Sequence, residues 1–176
     1  MPRRHRLLVV TVAGAVGLAF AQPAAAAGPT TASVEITGGS LTMTVPTTAG
    51  SLGTRANTVA GGPISGALGQ VQVNDARSAA AGSGWVATVI STAFTPSAGP
   101  TIAASAVSYS AGPIVKSGTA TYTAVDRPDL TGAVAAVTAT GITGDNSATW
   151  NPTITVTVPG GMAAGVYTAT ITHSVA

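Results

Sequence analysis

Residues 149–159 read TWNPTITVTVP, and the alternation within this stretch decides the fold. Trp150, Ile154, Val156 and Val158 fall on one side of an extended chain, and threonines fall on the other. Because successive side chains of a β-strand point to opposite faces, a period of two indicates a strand with one buried and one solvated face. We therefore predict a strand here whose apolar side faces the core.

The same period of two recurs along the chain in short runs that are separated by Gly, Pro, Asn and Asp. These runs are ASVEIT, LTMTV, QVQVND, GWVATVIS, SAVSYS, TATYTA, AVAAVTA and GVYTATITHSV. No stretch after Phe20 has helical periodicity. The sequence therefore predicts an all-β fold, an immunoglobulin-like antiparallel β-sandwich of about nine short strands.

Two segments between these runs are predicted to be connections. Residues 46–68 have little alternation and are expected to form a long loop, because Pro46 ends the preceding strand. Gly144, Asp145 and Asn146 form a sequence that is typical of a tight hairpin turn.

The first 27 residues predict a secretory signal peptide. Three arginines precede LLVVTVAGAVGLAF, an uncharged run of residues 7–20, and AQPAAAAG follows with a cleavage site after Ala27. A basic start, an apolar centre and a small-residue end are typical of export signals. The apolar run is shorter than the roughly 20 residues that a membrane helix needs. We expect residues 28–176 to form one exported domain without a membrane span.

Charge and cysteine content exclude several classes of function. The chain has seven basic and five acidic residues, but Arg3, Arg4 and Arg6 belong to the predicted signal, so four basic residues remain against five acidic ones. A nucleic-acid interface requires a clustered basic surface, which this domain lacks. The absence of cysteine excludes disulfides, thiol catalysis and cysteine-bound metal.

Three segments in order resemble the WxL-domain family of Gram-positive cell-surface proteins. They are VQVNDARSAAAGSGWVATVISTAFT, TIAASAVSYSAG and ATWNPTITVTVPGGMAAGVYTATITHSVA, and together they span most of residues 69–176. The family has V-x-V-x-D-x-R before a first Trp-x-Leu, then I-x-A-x-x-V-x-Y, and it ends in G-x-Y-x-A-x-I-x-W-x-L. This chain has Trp85, Val86 and Ala87 at the first Trp-x-Leu. It has His173, Ser174 and Val175 at the second.

The resemblance implies a domain that attaches non-covalently to the bacterial cell wall, to peptidoglycan above all, and that joins surface complexes. On this basis Trp85, Trp150 and His173 are candidate wall contacts. The residues themselves favour a core position for Trp85, with a sugar-stacking face as the alternative. For Trp150, which lies at a strand start before Pro152, core and contact are both open, and it is predicted to be the more exposed of the two. Asp75 and Arg77 match the family's D-x-R and are predicted to form a structural turn or pair.

The sequence does not favour catalysis or metal binding. His173 is the one histidine after the predicted signal, and no G-x-S-x-G motif accompanies it. The acids lie in turn-like settings without the loop pattern of an EF-hand. We predict a protein that is not an enzyme and has no cofactor or metal.

The alternating threonines suggest how such a protein binds. Thr153, Thr155 and Thr157, together with Thr168, Thr170 and Thr172, are predicted to form hydroxyl rows on one sheet. We predict a secreted, wall-associated protein that binds peptidoglycan or another envelope polymer. The alternative is a self-assembling subunit of a surface complex, whose partners are other surface proteins or further copies of itself.

Overall fold

The structure, a computed structural model, describes residues 31–176. The predicted signal peptide lies outside these residues. The described chain forms one short 3-10 turn, Ala104–Ala106, and ten strands, so the predicted all-β fold is confirmed. The strands are β1 (Leu41–Thr44), β2 (Gly62–Ala67), β3 (Val71–Ser91), β4 (Thr95–Pro96), β5 (Val107–Ser110), β6 (Ile114–Ala124), β7 (Val134–Trp150), β8 (Thr153–Val158), β9 (Tyr167–Thr168) and β10 (Ile171–Val175). No helix within residues 31–176 is long and apolar enough to cross a membrane.

The strands pair antiparallel in two main sheets that repeat one order. The large sheet contains β3–β7–β6, and the small sheet contains β2–β8–β5. Each strand of the small sheet is joined to its counterpart in the large sheet by a link of two or three residues: 68–70, 111–113 or 151–152. The two sheets are therefore one three-stranded ribbon that turns a corner at these links.

The ribbon bends a second time within β3 and β7, which are 21 and 17 residues long rather than short. Their register shifts three times between Asp75 and Trp85, and irregularities of this kind bend a strand. Gly144 lies at this bend with φ 71°. The predicted hairpin turn at residues 144–146 is therefore wrong, because β7 continues through it. A bulge and a hairpin favour the same residues, since both need positive φ.

Two short strands occupy one edge of β3 on opposite sides of this bend. β1 pairs with residues 72–75 of β3, and β10 pairs with residues 87–91. The bend brings β10 over the small sheet, where the ring centroids of His173 in β10 and Tyr109 in β5 lie 5.6 Å apart. β4 and β9 form a separate two-stranded ladder.

The core fills the space that the bent ribbon encloses. In β8 the alternation predicted from the sequence is present, because Ile154 and Val156 are buried while Thr153 and Thr157 are exposed. The largest side chains that are almost fully buried are Trp85, Trp150, Tyr109, Leu130, Ile142 and Ile154.

The segment that joins β1 to β2 covers the inner face of β2. Leu52 from this segment packs on the core, and a Cβ at Gly66 would lie 2.6 Å from the Leu52 carbonyl oxygen. The backbone of Leu52 can approach β2 this closely because position 66 is a glycine and has no Cβ. The predicted loop is therefore shorter than expected, since residues 62–67 form β2. ASVEIT, by contrast, forms no strand in residues 32–37.

Candidate functional site

Trp85 lies at the second bend and is anchored by a buried amide. Its Nε1–H donates a hydrogen bond to Oδ1 of Asn146 at 3.1 Å, and the hydroxyl of Tyr122 donates to the same oxygen at 3.1 Å. Asn146 in turn donates from Nδ2 to Oδ2 of Asp75 at 3.1 Å. Asp75 and Asn146 lie opposite each other on one side of the bend, and Trp85 and Tyr122 lie on the other side. The amide of Asn146 therefore joins the two halves of the bent sheet.

Asp75 and Arg77 form an ion pair beside this amide. Nε of Arg77 donates to Oδ1 of Asp75 at 2.8 Å, and Nη2 donates to Oδ2 at 2.9 Å. The hydrogen bonds from Arg77 lower the pKa of Asp75 to about 2, against the effect of burial, and Asp75 raises the pKa of Arg77. Asp75 is fully buried, and Arg77 is 36% exposed. The carboxylate is thus charged at neutral pH and fully hydrogen-bonded.

Trp150 lies at the first corner and is held by a different chain of groups. Its Nε1–H donates to the hydroxyl of Tyr109 at 2.8 Å, and that hydroxyl lies 3.3 Å from Nε2 of His173. Burial raises the pKa of Tyr109 to about 12, although the hydrogen bond from Trp150 acts in the opposite direction. Burial lowers the pKa of His173 to about 4. At neutral pH the tyrosine hydroxyl is therefore protonated and the imidazole is uncharged, and the tautomer of His173 decides which of the two groups donates.

These contacts correct part of the predicted wall-contact set. Trp85 and Trp150 are each 2% exposed, so neither offers a ring face to a polymer. The expectation that Trp150 is partly exposed is wrong, because Tyr109 from the small sheet covers it and satisfies its N–H. His173 is half-buried and turns toward the core, where Tyr109 is its one hydrogen-bond partner among residues 31–176. Both tryptophans are core residues.

Asn146, Tyr109 and Tyr122 were not predicted from the sequence as the partners of these side chains. The signal that was available is the rule that a buried tryptophan N–H requires an acceptor. The rule does not say which acceptor, because the partners lie 61 and 41 residues away along the chain. Within residues 31–176, no three His, Asp or Glu side chains are grouped so that they could hold a metal ion.

The outer face of the small sheet carries ordered hydroxyls. We call this surface the threonine face, and it consists of Ser65, Ser108, Ser110, Thr153, Thr155 and Thr157. Ser65, Thr155 and Ser108 lie directly opposite one another on β2, β8 and β5. The side-chain oxygens of Ser65 and Thr155 are 2.7 Å apart, which fixes both hydroxyls. Hydroxyls on this face repeat about every 7 Å along β8 and about every 5 Å between strands.

A shallow depression lies at the β5 side of the threonine face. It has a volume of about 250 Å³ and is lined by Ser108, Ser110, Thr153 and Thr155 from the sheet and by Asp126, Arg127 and Pro128 from the segment after β6. That segment is fixed to β5, because Arg127 and Tyr109 exchange two backbone hydrogen bonds of 2.8 Å. The depression therefore combines neutral hydroxyls with one acidic and one basic side chain.

The second predicted hydroxyl row does not continue the first one. Thr168 lies in β9, Thr172 lies in β10 of the large sheet, and Thr170 lies between these strands. The prediction that all six threonines share one sheet is wrong. Only Thr153, Thr155 and Thr157 form a regular row, and the serines of the neighbouring strands widen that row into a surface.

A larger groove of about 760 Å³ lies between the segment of residues 45–58 and the core. Its apolar floor includes Ile64, Phe94, Ile102 and Met162, and Ile171 and His173 of β10 line one side. The groove is lined by residues from both main sheets, and it borders the edge of β10.

Comparison of the chain with family models, curated proteins and solved structures finds no match. The resemblance to the WxL-domain family therefore stays a prediction from the three segments quoted above.

Proposed function

We propose that this protein is an exported, non-catalytic surface protein that binds non-covalently to an envelope polysaccharide, with peptidoglycan as the first candidate. The proposal includes export through the N-terminal 27 residues and a divergent place in the WxL-domain family. The proposal of polysaccharide binding is based on one observation, the threonine face and the depression beside it. The tryptophans, which were the first candidates for wall contact, take no part in it.

The chemistry of this face suits a sugar polymer. Glycan strands present hydroxyl and N-acetyl groups at regular intervals, and each group can donate or accept a hydrogen bond. The hydroxyls of Thr153, Thr155 and Thr157 can do the same, and their β-branched side chains hold few rotamers. A rigid array loses little conformational entropy on binding.

The depression suits the ends or branches of such a polymer. Asp126 offers carboxylate oxygens to sugar hydroxyls, and the guanidinium group of Arg127 is a donor to carboxylate or carbonyl groups. Arg127 already donates from Nε to the carbonyl oxygen of Ala135, which fixes the guanidinium at the rim. Because the rest of the face is uncharged, we expect binding to depend only weakly on salt.

The test is co-sedimentation with purified peptidoglycan sacculi. The protein is secreted from a Gram-positive expression host, its new N-terminus is determined by mass spectrometry, and the bound fraction is measured at increasing protein concentration. We expect the wild-type protein to begin at Gly28 and to pellet with the sacculi. Sacculi stripped of anionic wall polymers identify which polymer is bound.

Two triple variants make this test specific. Replacing Thr153, Thr155 and Thr157 by valine keeps shape and β-propensity but removes three hydroxyls, and we expect an affinity loss of about tenfold or more, since a hydrogen bond contributes roughly 1 kcal/mol. Replacing Thr121, Thr123 and Thr140 by valine makes the same change on the large sheet and should leave binding unchanged. A wild-type protein that stays in the supernatant, or two variants that bind equally, would refute the proposal.

A further inference from the structure

The edge of β10 that faces away from β3 has unpaired backbone groups. Val86 and Ala176 exchange two hydrogen bonds, and the N–H of Thr92 donates to the carbonyl oxygen of Thr170. In an antiparallel ladder, hydrogen-bonded residues alternate with residues whose backbone groups point away from the partner strand. Since Ala176 and Thr170 are bonded to Val86 and Thr92, the N–H and C=O groups of Ile171, His173 and Val175 point away from β3. No backbone hydrogen bond among residues 31–176 uses them. Although Cα atoms of β1 come within 8 Å of β10, the two strands are not paired.

Three of the other outer strands, β2, β5 and β6, carry features that prevent pairing with a further strand. β2 has Pro63 on its open side, β6 has Lys116 and two register shifts, and β5 is covered by the backbone of Arg127. Such features protect a sheet edge from a foreign strand. β10 has none of them: its register with β3 is unbroken, and ITHSV contains no proline and no charged residue at neutral pH.

The chain also has a strand-like segment that pairs with nothing among residues 31–176. Residues 32–37, ASVEIT, alternate apolar and polar side chains, yet none of them takes part in a hydrogen bond or a strand there. Val34 is 90% exposed and Ile36 is 85% exposed. Exposed apolar side chains at a spacing of two are what an incoming strand needs for one buried face.

We propose that residues 32–37 of one copy add as a strand to the open edge of β10 in a second copy. β10 offers five residues, about 17 Å of strand, and the segment has six. Val34 and Ile36 then lie on the same face as Ile171, His173 and Val175, above the groove that Ile171 and His173 line. Ser33, Glu35 and Thr37 face water beside the exposed Thr172 and Ser174.

This contact joins two different surfaces, so it produces chains of copies rather than a closed symmetric pair. Each copy offers one segment and one edge, and a head-to-tail contact that does not close extends into a filament. A single added strand buries less surface than a standard protein interface, and we expect association in the micromolar range. The proposal is independent of polysaccharide binding, because the threonine face lies on the small sheet.

Sedimentation velocity of the secreted protein over a range of micromolar concentrations tests the assembly. We expect the wild-type protein to form a series of dimers, trimers and longer species. Replacing Val34 and Ile36 by aspartate should weaken association at least tenfold, because both side chains are exposed in the single copy and needed only in the assembly. The matched control also introduces two aspartates, at Val59 and Val115, which are 97% and 74% exposed, and it should assemble like the wild type.

The acceptor edge is tested separately. Val175→Pro removes an N–H that points away from β3, so the ladder of β10 with β3 is kept while the edge is blocked. We expect this variant to be monomeric alone and to form only a one-to-one complex with the Val34→Asp, Ile36→Asp variant, because each supplies what the other lacks.

A synthetic peptide of sequence ASVEIT gives a measurement that does not depend on the folding of the proline variant. It should shorten the wild-type chains, and a peptide with aspartate for both apolar residues should not. A wild-type protein that stays monomeric throughout, or an aspartate variant that assembles like the wild type, would overturn the proposal. Unchanged pelleting of the monomeric variant on sacculi would leave the proposed function standing.

Discussion

The two bends of the ribbon are built around one tryptophan each, but they stabilise it by different chemistry. At the second bend the N–H of Trp85 ends on Asn146, which is backed by the charged pair of Asp75 and Arg77. At the first corner the N–H of Trp150 ends on a tyrosine hydroxyl backed by the neutral imidazole of His173. The same requirement, an acceptor for a buried indole, is met once with charge and once without it.

The difference predicts how each region responds to acid and to mutation. The first network requires that a carboxylate keep its charge, whereas the second requires that an imidazole stay uncharged. The first network also has a second donor to its central oxygen, from Tyr122, while the second is a single line of three groups. Four predictions test these contrasts.

The largest effect is expected from removing either ring. Trp85→Ala and Trp150→Ala should each lower the free energy of unfolding by about 3–5 kcal/mol, because both side chains are almost fully buried and leave a cavity. Urea denaturation followed by circular dichroism measures the loss. A ring whose removal costs less than about 1 kcal/mol would not be a core residue, and the comparison would fail for that bend.

Acid should destabilise the two regions in two separate pH ranges. Burial lowers the pKa of His173 from 6.5 to about 4, so its contribution is complete above pH 6.5 and is lost as pH falls to 4, by roughly 3 kcal/mol. The pKa of Asp75 falls from 3.8 to about 2, so its contribution is complete above pH 3.8 and is lost toward pH 2.

The variant His173→Gln separates these two pH ranges, because glutamine can still form a hydrogen bond with Tyr109 but does not titrate. We expect the loss between pH 6.5 and 4 to disappear and the loss below pH 3.8 to remain. Stability measured by urea denaturation across pH provides the check. If the variant still loses stability between pH 6.5 and 4, a group other than His173 is responsible for that loss.

A smaller effect is expected from neutralising the charged network. Asp75→Asn keeps the shape of the side chain but removes its charge, and we expect a loss of about 2 kcal/mol at pH 7, in line with the pKa shift. The same variant should lack the loss of stability below pH 3.8. His173→Gln is the internal control, since it should retain that loss.

The smallest effects should separate the two tyrosines. Tyr109→Phe leaves the N–H of buried Trp150 without an acceptor, and we expect a loss of about 1–3 kcal/mol. Tyr122→Phe leaves Asn146 still bonded to Trp85, and about 1 kcal/mol or less should be lost. Equal losses for the two variants, measured by denaturation at pH 7, would contradict the contrast between an acceptor shared by two donors and a single line of three groups.

The sequence predicted the parts of the fold that depend on neighbouring residues. The alternation in TITVTV indicated both the strand β8 and which of its sides is buried. The pair of Asp75 and Arg77 was predicted from their D-x-R spacing, and the structure contains it.

Other predictions failed where one local pattern serves two purposes. Gly144, Asp145 and Asn146 suit a hairpin, but in β7 they form a bulge in which Asp145 accepts hydrogen bonds from the N–H and hydroxyl of Ser78. ASVEIT has the pattern of a strand but has no partner strand within residues 31–176. A strand requires a partner, and the alternation of a segment does not say whether its own chain supplies one.

The amino-acid sequence by itself determined an all-β chain and the division of its side chains into an apolar and a hydroxyl-bearing set, because both follow from a period of two. The tertiary structure decided where the ribbon bends, that both tryptophans are buried, and that the serines of β2 and β5 flank the threonines of β8. These features depend on pairs of residues that are tens of positions apart, such as Trp85 with Asn146 and Ser65 with Thr155. Local periodicity contains no information about such pairs, because they form only when the ribbon closes on itself.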